Sequence, residues 1–228
     1  MRVPVSVPVA VWGRAFAEFI PGWWDAVLAM DPMPTQIVIG YENPDMAGLV
    51  DSVPDDLPCD VKGIVLEDGG FGDYWNQVFR ACDEAWIAPC CIDDRFLPGA
   101  LARIPDADEA GAELLVDGIV WKYRGGEWRG YWDAAAIGRV LTLPGAAPFK
   151  RSLFDRVGGF RADVYSSDWA FYMDAAVAGV RTFQADTLRI VFDEGNAHST
   201  RSGVRLDADT RRAADEQIHA LAVELGLR

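Results

Sequence analysis

The sequence is short of the residues that build metal clusters, disulfide scaffolds and basic surfaces. It has two histidines and four cysteines in 228 residues. The cysteines fall at 59, 82, 90 and 91, a spacing that fits no zinc pattern. Cys90 and Cys91 are adjacent inside an apolar run, as strand residues are, so reduced thiols in a cytoplasmic protein are expected. Basic residues are outnumbered, 21 against 35, leaving a net charge of −14. Such a surface repels phosphate backbones, so a broad nucleic-acid footprint is not expected. One phosphate-bearing small ligand stays open, because a bound cation reverses the local sign. No apolar run approaches the ~18 residues of a membrane span. The start, MRVPVSVPVAVWGR, is interrupted by Pro4 and Pro8 and reads as a first strand rather than a signal peptide. There is no repeat, low-complexity tract or linker.

The chain does have the composition and length for one sizeable core. Val3 to Val11, Thr35 to Gly40, Asp60 to Leu66 and Trp86 to Ile92 read as apolar strands. Between and after them, helices are expected over Pro21 to Met30, from Asp73 as cap through Ala81, and from Pro98 to about Ile104. That alternation predicts an α/β fold with a mostly parallel sheet and helices packed on it. Further on, Glu113 to Val120 and Arg181 to Phe192 are strand-like, and Gly125-Gly126 marks a hairpin turn. Ser152 with Asp155 starts a short helix that stops at Gly158-Gly159, and Ser166 or Ser167 caps another through Ala178. Residues 1–205 are taken as one domain, with 206–228 an amphipathic helix packed on it through Ile218, Leu221 and Leu225.

Ligands of open sheets sit at the carboxyl ends of strands, which draws attention to Asp93-Asp94. Carboxylates there can hold Mg²⁺ or Mn²⁺ with positions open for phosphate, or simply turn and cap. Asp168, at a helix start, is either a cap or a general base. His198 lies in a polar loop with Arg201, where an imidazole can ligate a metal and a guanidinium can hold a phosphate. The aromatic stretch Trp121 to Trp132 is a hairpin with cross-strand pairs or a sugar-stacking surface.

In order and type, these segments resemble the GT-A fold glycosyltransferases of the large inverting family 2, over roughly residues 3 to 203. The strongest stretch is Phe149-Lys-Arg-Ser-Leu-Phe-Asp-Arg-Val-Gly-Gly-Phe160 followed by Ser167-Asp168-Trp169. It is similar to the family's segment that ends in an acidic pair. The resemblance makes Asp168 the catalytic base, with Ser167 where the family has Glu. Asn76 to Ile87 and Cys91-Ile-Asp-Asp-Arg-Phe-Leu-Pro98 resemble the family's donor-site helix and its metal-binding Asp-x-Asp strand end. Asp93 then matches the metal ligand, Cys91 replaces the first Asp, and Asp94 is a further metal or donor contact. Gln36 to Asp45 resembles the strand whose end holds the nucleotide base, implying Tyr41, Glu42 and Asp45. Asp68 and Asn76 are implied as further donor contacts, and His198 and Arg201 as metal and diphosphate contacts.

The implied activity is transfer of a sugar from a UDP- or GDP-type donor to an acceptor hydroxyl with inversion, using Mn²⁺ or Mg²⁺. The acceptor is a glycan, a protein or a small molecule. The alternative is a degenerate GT-A domain that binds a sugar, nucleotide or partner without turnover.

Overall fold

The computed structural model describes residues 2–49, 53, 57–122, 125–192 and 208–227. The first half runs β1 (Arg2–Val11), α1 (Ile20–Leu28), β2 (Met33–Tyr41), β3 (Asp60–Val65), α2 (Phe71–Arg80), β4 (Trp86–Ile87) and β5 (Arg95–Phe96). The second half runs α3 (Ile104–Glu109), β6 (Leu114–Trp121), β7 (Glu127–Arg129), β8 (Phe149–Lys150), α4 (Arg151–Val157), α5 (Ser167–Val177), β9 (Thr182–Phe192) and α6 (Ala208–Glu224).

The strands make one mixed sheet in the order β3-β2-β1-β4-β8-β6-β9-β5, with β7 on β6. Its long ladders, β1 with β2, β2 with β3 and β6 with β9, are parallel. β4, β6 and β8 join the two halves through short antiparallel pairings. Helices cover both faces, which is why β1 and β2 read as nearly continuous apolar runs. The odd positions of β1, Val3 to Val11, pack on Ile20, Trp23, Trp24 and Val27 of α1. Ala10 and Val38 turn to the opposite core, built from α2, α4, α5 and α6. The period of two along each strand thus sorts one sequence into two cores.

Several element boundaries differ from the sequence reading. The Trp86–Ile92 run pairs as a strand only at Trp86–Ile87. Pro89 has no N–H to donate to a ladder, so residues 88–92 leave the sheet as a buried, irregular strand end. Asp73 is not the cap of α2 but its third residue, and its carboxylate accepts the Gly70 N–H at 3.0 Å. Residues 98–103 form turns, and the helix begins only at Ile104, with Pro105 in its first turn. The Gly158-Gly159 stop holds, with φ of 86° and 89°, a conformation open to glycine and strained for other residues.

α6 packs on the same body. Ile218, Leu221 and Ala222 are buried among residues of α2, α4 and α5, and Gln217 accepts the Tyr165 N–H at 3.2 Å.

Asn76 holds α2 to the segment after α4. Its Nδ2 donates to the Phe160 carbonyl at 2.8 Å and its Oδ1 accepts the Phe160 N–H at 2.7 Å. Asn76→Ala leaves both buried backbone groups unpaired and is expected to cost about 1–3 kcal/mol. A urea titration checks this: the midpoint should fall at unchanged slope.

Candidate functional site

The carboxyl ends of β1, β4 and β6, the start of α2 and the residues leading into α5 surround a cleft of about 650 Å³. Strand ends deliver Trp12, Cys91, Asp93 and Asp94 to it, and the first turn of α5 delivers Asp168. The two acidic segments, 75 residues apart in sequence, therefore line one cavity.

The Asp93-Asp94 loop is held by its own backbone. Asp94 N–H donates to the Cys91 carbonyl at 3.0 Å, closing a turn. Arg95 folds back and donates to the carbonyls of Ile92 at 3.0 Å and Asp94 at 2.7 Å. Cys91 Sγ and carboxylate oxygens of Asp93 and Asp94 all lie within 4.8 Å of one another. Asp94 is 2% exposed, while Cys91 and Asp93 are half-buried. Burial, then the charges of Asp94, Asp93, Cys90 and Asp168, hold the Cys91 thiol well above its ordinary value.

Asp168 is set by its neighbours. Its Oδ2 lies over Gly145, where a Cβ would sit 2.2 Å away, so only a residue without a side chain lets the two segments approach this closely. The Gly145 loop is fixed from α5 itself: Tyr172 Oη donates to the Pro144 carbonyl at 2.9 Å and accepts the Ala147 N–H at 3.2 Å. Burial, and next the Asp168 charge, raise the Tyr172 phenol, so it remains a neutral donor.

Beneath the cleft lies a fully buried ion pair. Arg189 Nε donates to Asp117 Oδ2 at 2.7 Å, with side-chain exposures of 0% and 1%. Arg189 Nη1 donates to the Pro89 carbonyl at 3.1 Å, and Nη2 to the Ala146 carbonyl. One guanidinium thus ties the strand end before Asp93 to the loop against Asp168. Burial raises the Asp117 carboxyl, and Arg189 opposes that rise.

The remaining lining is mostly apolar. Trp12 meets Phe71 edge-on at 5.5 Å and stacks on Tyr74 at 6.3 Å. Thr210, Ala213, Ala214 and Gln217 of α6 form another wall. Among the described residues, every charged lining side chain is an aspartate: 93, 94, 163 and 168. An anionic ligand therefore needs a counter-cation here, and two carboxylates beside an open cleft are a donor set that suits a divalent ion.

Several other residues expected at the site are not among the described lining of the cleft. Asn76 is buried, bonds Phe160 through both ends of its amide and does not line the cleft, so it braces α2 rather than facing the cavity as the donor contact expected of it. Tyr41, at the end of β2, is 9% exposed and packs in the α1-side core, outside the cleft lining. Glu42 and Asp68 are exposed and sit beside Tyr74, whose phenol is raised by burial and then by Glu42. Asp45 falls in the turn Pro44–Leu49, and its side chain is outside the described set. His198 and Arg201 lie outside the described residues. The Trp121 stretch forms the β6–β7 hairpin, with Trp121 at 6.2 Å from Trp128 and 5.1 Å from Phe192.

Sequence reasoning missed Trp12, Gly145, Tyr172 and Arg189 as parts of the site. Two of them carry a signal: Trp12 directly follows a strand, and Arg189 interrupts the apolar run Leu188-Arg-Ile-Val191. Arg189→Met strands Asp117 as an unpaired buried carboxylate and should cost about 3–5 kcal/mol near neutral pH. A group whose folded pKa is raised loses stability as pH rises through that pKa, so the deficit should shrink on acidification. Denaturant titrations from acid to neutral pH, with Asp117→Asn as the compensating change, check both.

No family model and no curated protein matches this sequence. Solved structures do match in fold. S. aureus TarS 1–349 in complex with UDP-GlcNAc has a TM-score of 0.69 at 14% identity, over 98% of this chain and 72% of that one. The mannosyltransferase PcManGT from Pyrobaculum calidifontis, in complex with GDP-Man and Mn²⁺, has a TM-score of 0.66 at 15% identity, over 99% and 74%. Another S. aureus TarS structure matches at 0.65 and 14% over 84% of this chain, which spans 37% of it. The fold is thus the GT-A-like glycosyltransferase fold.

Proposed function

We propose that this chain transfers a sugar from a UDP- or GDP-type nucleotide-sugar to an acceptor hydroxyl, with inversion and with a divalent cation. The observation that carries the reading is the shared cleft: Asp93 and Asp94 at one strand end and Asp168 at a helix start line one cavity. The fold likeness to proteins solved with UDP-GlcNAc and with GDP-Man and Mn²⁺ supports it.

Asp93 and Asp94 would hold Mn²⁺ or Mg²⁺, which supplies charge neutralisation for a departing diphosphate. The chain's own residues do the rest. Trp12 and Phe71 offer flat apolar faces on which a base or sugar ring can stack. Asp168 accepts the proton of the acceptor hydroxyl as that oxygen bonds to the anomeric carbon. The bond to the diphosphate oxygen breaks on the opposite face, so the product is inverted. Gly145 and Tyr172 keep the Asp168 carboxylate in place for that transfer. The four free cysteines fit a reducing, cytoplasmic compartment. His198 and Arg201 keep their proposed metal and diphosphate roles, and Glu42, Asp45 and Asp68 remain candidate donor contacts.

The second reading, a domain that binds the donor without turnover, is favoured by Ser167, which is fully buried beside Gly72 and supplies no second carboxylate. Donor consumption separates the two. Asp168→Asn should retain donor binding and lose ~10²–10⁴-fold in transfer or donor hydrolysis. Near-normal turnover removes Asp168 from the role. Asp93→Ala should abolish the Mn²⁺-dependent gain in UDP affinity seen by calorimetry, and an unchanged gain removes it as a ligand.

A further inference from the structure

The donor set after β4 is not all oxygen. Cys91 lines the cleft, and its Sγ belongs to the same cluster as the Asp93 and Asp94 carboxylates. Metal–ligand bonds of about 2.0–2.3 Å put two ligands of one ion no more than roughly 4.6 Å apart. The three donor atoms lie within 4.8 Å of one another, so a small rotation of the side chains would close them round one ion. The loop that carries the three donors is fixed by its Asp94–Cys91 turn and by the Arg95 guanidinium. Sulfur is thus presented to the cleft with the oxygens.

We propose that Cys91 Sγ is itself a metal ligand, so that this chain prefers a thiophilic divalent ion of the Zn²⁺ or Co²⁺ type to Mg²⁺. The inference rests on the reading of Asp93 as a cation ligand and shifts the preferred ion from the Mn²⁺ or Mg²⁺ of that reading to a softer one. Mg²⁺ demands near-ideal octahedral oxygen coordination and keeps its water, so a thiolate in the set disfavours it. Thiolate ligands favour softer ions, and mixed nitrogen, oxygen and sulfur sites rank Mn²⁺ below Co²⁺ and Zn²⁺. On coordination the thiol gives up its proton to solvent and the thiolate lone pair goes to the ion, with no redox change.

The test uses the whole chain and the metals alone. Co²⁺ is titrated while sulfur-to-cobalt charge-transfer absorption is followed, and Zn²⁺ and Mg²⁺ then compete. The band should appear, Zn²⁺ should remove it, and an equal concentration of Mg²⁺ should leave it. Cys91→Ser should lose the band and at least the 10–100-fold in affinity that disturbing even an indirect metal partner costs, on the order given by known sites. Cys91→Asp should lose the band and bind Mn²⁺ and Mg²⁺ more nearly alike. Co²⁺ binding without the band, unchanged affinity in Cys91→Ser, or no binding of any of these ions overturns the inference. If Cys91→Ser does not fold, the wild-type spectrum and Cys91→Asp decide. UDP calorimetry in the same metals separates the two claims. A sulfur-ligated ion without nucleotide binding overturns the transfer reading alone, and metal-dependent UDP binding without the sulfur signature overturns this inference alone.

Discussion

The site depends on one buried positive charge. Arg189 sits at zero exposure on β9 and spends its guanidinium on Asp117 and on the carbonyls of Pro89 and Ala146. An unpaired cation in this position would be prohibitively desolvated, so its partners are obligatory. Those partners belong to three separate stretches of chain: Pro89 leads into Asp93 and Asp94, and Ala146 follows the Gly145 that packs against Asp168. Arg189 does not itself line the cleft. It fixes the relative position of the segments that do, as a planar fork of donors can and a flexible ammonium cannot.

Rigidity at this point has an electrostatic use. The described charged lining of the cleft is acidic throughout, and four aspartates around one cavity repel one another. Hydrogen bonds fix the loop of Asp93 and Asp94 and the Gly145 loop against Asp168, which limits how far those carboxylates can move apart. The Asp93-Asp94 loop is tied by Arg95, the Gly145 loop by Tyr172, and both by Arg189. The cavity so formed is a poor host for an anion alone and a good host for an anion with a divalent ion. Its apolar walls, from Trp12 and Phe71, lower the local dielectric and strengthen that coupling.

The alternation of apolar runs and capped helices was enough to read the α/β class, because burial on both faces leaves a direct mark on residue type in β1 and β2. Asp93 stands out locally as a carboxylate that ends an apolar run, whereas Asp168, in the first turn of α5, reads locally as a cap or a base and is singled out by the resemblance; both line the one cleft. What stayed hidden depended on contacts distant in sequence. Asn76 enters as a donor contact only through the resemblance, yet its amide meets Phe160, 84 residues on. Tyr41 ends its strand on the parity that points to the α1-side core, and the parity of a strand end shows only once the sheet is assembled. The Trp86–Ile92 run is apolar for burial, not for pairing, and composition does not separate the two. Gly145 carries no local signal at all, since its value lies in the carboxylate that occupies its missing side chain.

The last helix has a double allegiance. Its inner residues Ile218, Leu221 and Ala222 complete the core, while Thr210, Ala213, Ala214 and Gln217 face the cavity. A ligand that fills the cavity therefore meets α6 directly. Occupancy and the docking of that helix are linked functions: a ligand that touches it tightens α6 on the core, and a loosened α6 gives up the ligand in equal measure.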